Sequence, residues 1–111
     1  MAGQWYSRWL LMSNFERRTY FENDDYKIYL EEIQDNVFIH VAIFNATTSI
    51  VKEIKEKWAE IVLRMYFLGY EELFCYTADN RIVEIIGGAT KVAENVKFQN
   101  KNYEVWKWDL S

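Results

Sequence analysis

The chain has 111 residues, the size of one domain, and is half apolar and 18% aromatic with five Trp, eight Tyr and seven Phe; that hydrophobicity excludes intrinsic disorder. Thirteen basic against seventeen acidic side chains leave a net charge of −4, without the basic surplus that holds a phosphate backbone, so nucleic acid is excluded as the main partner. One cysteine, Cys75, and one histidine, His40, exclude a disulfide scaffold and a four-ligand zinc site, and no apolar run approaches the roughly 20 residues of a membrane span.

Residues 1–25 stand apart as an N-terminal aromatic segment. Trp5, Trp9 and Met12 share one helical face that Phe15 continues, which predicts a short amphipathic helix, with residues 20–25 as loop. Residues 26–30 and 37–44 are rich in β-branched and aromatic types and are separated by the turn formers Gln34, Asp35 and Asn36, which predicts a β-hairpin. Val37, Ile39, Val41 and Ile43 alternate with Phe38, His40, Ala42 and Phe44, so both faces of the second arm are largely apolar and that strand is predicted to be central.

Thr47, Thr48 or Ser49 can cap a helix that follows, and Ile50, Ile54, Trp58, Ile61, Val62, Met65 and Leu68 recur at three- and four-residue spacings. An amphipathic helix is predicted, with Trp58, Ile61 and Met65 facing the sheet and Gly69 as its left-handed terminator. The run Leu73, Phe74, Cys75, Tyr76 predicts a buried strand, as in a βαβ crossover. Asp79 or Asn80 caps a short helix carrying Ile82, Val83, Ile85 and Ile86 that stops at Gly87 and Gly88. Residues 89–98 and 103–109 form a closing hairpin. The expectation is a single α/β (α+β) domain over residues 26–111 with a mixed sheet.

Taken together, hairpin, long helix, strand, short helix ending in Gly-Gly and closing hairpin resemble the second half of the GNAT acyltransferase fold. Asn80-Arg81-Ile82-Val83-Glu84-Ile85-Ile86-Gly87-Gly88-Ala89 is similar to the family's asparagine-led helix ending at a glycine, and Lys101-Asn102-Tyr103-Glu104-Val105-Trp106-Lys107-Trp108 to its closing strand. The end region is also similar to small GNAT-like proteins encoded by tailed bacteriophages. Active members of the family hold the acetyl-CoA pyrophosphate with a Gln/Arg-x-x-Gly-x-Gly/Ala loop. Here that place holds Phe44-Asn45-Ala46-Thr47-Thr48-Ser49, without glycine, so the backbone is less free to approach phosphate. Val83 or Glu84 stands where the family has its general-acid tyrosine.

The resemblance and its departures imply a shortened, non-catalytic, phage-encoded relative that binds protein or itself, in a virion or in the bacterial host cytoplasm. The predicted protein-binding anchors are Trp5, Tyr6, Trp9, Trp106 and Trp108, because so many rings cannot all be buried in so small a domain and exposed Trp and Tyr anchor interfaces. No cofactor and no metal are expected. The alternative is a small acyl-CoA-dependent N-acyltransferase taking acetyl-CoA at Asn45, Thr47, Thr48, Ser49 and Asn80, with Glu31 or His40 as base. His40 is otherwise read as a half-buried, hydrogen-bonded histidine and Cys75 as a small buried hydrophobe. Glu31 with Glu32, and Asp24 with Asp25, are read as solvated carboxylates, and Arg17 with Arg18 as too few for a phosphate footprint.

Overall fold

A computed structural model describes residues 17–98 and 100–110. Its elements are β1 (Arg17–Glu22), β2 (Tyr26–Ile33), β3 (Asn36–Ile43), α1 (Thr48–Phe67), β4 (Glu72–Thr77), α2 (Arg81–Ile86), β5 (Thr90–Phe98) and β6 (Lys101–Asp109). The strands form one mixed sheet in the order β1-β2-β3-β4-β6-β5. The α+β class and the element order from β2 onward are those predicted.

Local chemistry fixes several boundaries. Gln34 and Asp35 both take positive φ, 51° and 68°, the two-residue turn whose twist matches its flanking strands. Thr47 caps α1 by accepting the Ile50 N–H, and Gly69, at φ 94°, ends it. Gly69 N–H donates to the Tyr66 carbonyl and Tyr70 N–H to that of Met65, the paired bonds of a left-handed helix stop.

Period two divides the sheet into faces. Tyr26, Ile28 and Leu30 of β2, Val37 and Ile39 of β3, Leu73 and Cys75 of β4 and Trp108 of β6 are buried with Ile50, Ile54, Ile61 and Met65 of α1 and Ile82 and Val83 of α2. Trp58 is half-buried and lies over Trp108, ring centroids 4.6 Å apart. The Trp108 indole N–H donates to the Gly87 carbonyl at 2.9 Å, so this ring joins α1, β6 and the end of α2.

Two expectations are corrected here. Residues 20–25 are not all loop, because β1 pairs with β2 from Arg17 opposite Glu31 to Glu22 opposite Lys27, so the sheet begins before the boundary drawn at residue 26. A register shift between Thr19 and Phe21 breaks the alternation that marks a strand. Both aromatics at the shift then reach α1: the Tyr20 hydroxyl donates to Glu60 at 2.6 Å and Lys57 lies over the Phe21 ring at 4.4 Å. Trp108, expected as an exposed anchor, is 5% exposed and belongs to the core, because β6 lies inside the sheet between β4 and β5 and its even-numbered side chains face the helices.

Trp58→Ala removes the ring that covers Trp108. A loss toward the lower end of about 3–5 kcal/mol is expected, since Trp58 is half-buried; a urea midpoint that does not move would place the indole outside the core.

Candidate functional site

The face opposite the helices is composed of the other set of alternating residues, including Tyr29 and Glu31 of β2, Phe38 and His40 of β3, Phe74 and Tyr76 of β4 and Tyr103 and Val105 of β6. Glu31 is its hub. Its Oε1 accepts from His40 Nε2 at 2.9 Å and from the Tyr76 hydroxyl at 2.8 Å, and Oε2 lies 3.5 Å from the Arg17 guanidinium. Four neighbouring strands, β1 to β4, thus each contribute one side chain. The Arg17 guanidinium also lies 4.8 Å from the Tyr29 ring centre, and His40 packs between Tyr29 and Tyr76, at 4.9 and 4.6 Å.

This cluster sits at the seam of the sheet. β3 and β4 are parallel and match at Phe38 opposite Phe74, whereas each other neighbouring pair matches at five or more positions. The Phe38 and Phe74 rings are 5.4 Å apart. Two residues along each strand, His40 and Tyr76 meet over Glu31, so side chains close the junction where backbone pairing is thinnest.

The electrostatics follow from burial and partners. Burial lowers the His40 pKa from 6.5, and its bond and attraction to Glu31 only partly oppose this. Burial alone would raise the Glu31 pKa, but hydrogen bonds from Tyr76 and His40 and the charge of Arg17 hold it below 4.5. Burial and the bond to Glu31 push the Tyr76 phenol up to about 12. At neutral pH the group is a carboxylate, a neutral imidazole donating from Nε2, and a phenol. A carboxylate with three donors around it and its pKa lowered is a weak base, so the geometry suits a clamp better than proton transfer.

Beside the clamp lies a groove of about 720 Å³, between the β2–β3 turn and the far end of the β5–β6 hairpin, whose walls include Ile33, Phe38, Tyr76, Val96, Tyr103 and Val105. Tyr103 stacks edge-on to Tyr76 at 5.6 Å. Among the described residues no helix covers this face.

The remaining candidates are dispersed. Trp5, Tyr6 and Trp9 lie outside the described residues. Trp106 is half-buried on the helix side, its indole N–H on Glu104 and Lys91 over its ring. The Asn45 amide donates to the Asp25 carboxylate, while Phe44 and Asn45 N–H groups both donate to the Asp25 carbonyl. Thr47 is the α1 cap, Thr48 and Ser49 are exposed in its first turn, and Asn80 makes no side-chain cap on α2. Glu31 and Glu32, read together as solvated carboxylates, part company. Glu31 is 12% exposed, and Glu32 accepts from the Tyr70 hydroxyl at 3.4 Å. Cys75 is buried, its thiol pushed up to about 12. Among the described residues no group of three His, Cys, Asp or Glu is placed to hold a metal ion, and no helix is long and apolar enough to cross a membrane. Reading residues alone missed Tyr76 and Arg17 as partners of Glu31. Only the turn at Gln34 and Asp35, which puts Glu31 and His40 on one face, signals the cluster.

Two outcomes are expected. Tyr76→Phe removes a bond to a charged acceptor and should cost about 1.5–3 kcal/mol, read as a fall in the urea midpoint. Because the folded His40 pKa lies below its unfolded value, the unfolded chain takes up that proton first. Stability from this residue is complete above about pH 6.5 and is lost as pH falls toward the folded pKa, with Glu31 adding a further loss below its ordinary value. Since His40 is the chain's one histidine, His40→Gln should flatten the stability profile between about pH 5 and 6.5; a profile sloping as before would remove His40 from the account.

No family model matches the chain, and no curated protein matches it. Among solved structures, a domain from Methanocaldococcus jannaschii is similar in fold, with a TM-score of 0.59 at 14% identity, covering 95% of this chain and 75% of that one.

Proposed function

We propose that the chain acts by binding protein and not by catalysis, with the open face of its sheet as the recognition surface. The observation that carries this reading is the aromatic and aliphatic groove beside the Glu31 clamp. Tyr and Phe rings held on strands offer large contact area with little side-chain freedom left to lose, the property of interface anchors. Glu31, His40 and Tyr76 at its edge are already bonded to one another, so covering them with a partner leaves the Glu31 carboxylate paired.

The element order from β2 to β6 supports a relative of GNAT architecture, and the likeness of the end region to small phage-encoded members supports a partner in a virion or a bacterial host. The acyltransferase alternative needs free backbone donors before α1. The N–H groups of Phe44, Asn45, Thr47 and Ile50 all have acceptors within the protein, which supports a chain that does not cradle a pyrophosphate.

Calorimetry at high protein concentration should give no heat of acetyl-CoA binding, and a low-micromolar affinity would overturn the non-catalytic reading. In affinity co-purification from the source cell, Val96→Lys, a change at a position 40% exposed, should release captured protein at an unchanged melting temperature. A hot-spot loss of about 2 kcal/mol corresponds to roughly 30-fold in affinity. Capture unaffected by the lysine would move the recognition surface elsewhere.

A further inference from the structure

We propose that the partner segment taken by the open groove is basic as well as apolar, with a Lys or Arg toward the β2–β3 turn and bulky aliphatic or aromatic side chains toward the β5–β6 hairpin. The proposal rests on the reading of this face as a recognition surface and adds the chemistry of what it recognises.

Floor and walls set the apolar half. Phe38, Tyr76, Val96, Tyr103 and Val105 border about 720 Å³, within the roughly 300–1,000 Å³ of sites that take a ligand-sized group. Phe38 and Tyr103 both meet Tyr76 edge-on, each pair with ring centres 5.6 Å apart. Rings fixed in this way attract a cation as well as an apolar side chain. The same face already does so at Tyr29, where the Arg17 guanidinium and the Lys27 ammonium lie 4.8 and 5.6 Å from the ring centre.

Charge gives the segment its sign and its direction. Glu31, Glu32 and Asp35 border the groove on the turn side and Lys97 on the hairpin side. Arg17 answers the Glu31 charge, whereas the Tyr70 phenol that bonds Glu32 brings no charge of its own. A cation is therefore favoured at the turn side, and Lys97 turns one away at the other. The whole chain has the same sign, with a net charge of −4, so its field draws basic segments in and slows acidic ones. The hollow at the end of α1 has the opposite character. It is smaller, at about 440 Å³, and among the described residues its charged wall positions are Arg18 and Arg64, which repel a basic segment.

The test is a selection of random heptapeptides displayed against the full chain. Sequences that place Lys or Arg beside bulky apolar residues are expected, and the strongest of them, synthesised with a fluorescent label, should bind in an anisotropy titration. Val96→Lys should abolish that binding. Glu32→Gln combined with Asp35→Asn should weaken it by up to about fivefold for each charge removed. The melting temperature should stay unchanged, since Gln still accepts from Tyr70 and Asn tolerates the positive φ at position 35. A selection rich in acidic or uncharged sequences would overturn the proposal, as would one that enriches nothing. So would a basic peptide whose binding ignores Val96→Lys or the paired neutralisation. Uncharged or acidic peptides that Val96→Lys releases would leave the protein-binding reading standing on the same groove. That reading fails separately, by acetyl-CoA binding or by capture that ignores Val96→Lys.

Discussion

Glu31 holds together the part of the sheet that backbone hydrogen bonding holds least. β3 and β4 are joined by the long connection through α1 and match at a single opposed pair of phenylalanines, whereas the antiparallel strands on either side match along most of their length. A largely buried carboxylate is costly unless donors surround it. Here β1, β3 and β4 each send one, as guanidinium, imidazole and phenol. Removing any donor costs more than one bond, because the carboxylate it leaves is already out of water. The seam is therefore rigid as long as the cluster is whole.

The same division by period two explains where the aromatics went. On the helix side, Trp108 serves as a core strut. Its ring meets Trp58 and its N–H satisfies the carbonyl of Gly87, a residue at positive φ that ends α2. On the open side, Phe38 and Tyr103 each meet Tyr76 edge-on, and Tyr29 stacks on His40. Among the described residues the helices form one layer, so a sheet that is apolar on both faces has one face they do not cover.

How much of this was legible in the sequence depended on whether the signal was local. The helix from Thr48 to Phe67, a cap among Thr47, Thr48 and Ser49, the Gly69 stop and the turn at Gln34 and Asp35 follow from neighbouring residues, and the structure selects Thr47 as the cap. β1 was hidden because its bulge puts Tyr20 and Phe21 on the same side, which looks like neither strand nor helix period. Trp108 was misplaced because nothing in the alternation of β6 tells whether it lies at an edge or between β4 and β5. The Glu31 cluster needed the parallel register of β3 and β4, a contact between residues far apart in the chain, and Tyr76 could be assigned to it only once that register was known.

On the proposed reading of the open face as a recognition surface, these constraints bear on how it would bind. A flexible polar surface loses side-chain freedom on meeting a partner, which opposes affinity. Here the rings on the wall are fixed by strands beneath them and by one another, and the charged hub among them is bonded before any ligand arrives. On that reading, specificity would come from the shape and apolar spacing of the incoming segment, with Asp35 and Lys97 on the groove wall as its polar contacts. Acid should weaken the fold on which this face rests, because burial disfavours a charged His40 imidazole and a protonated Glu31 loses its attraction for Arg17.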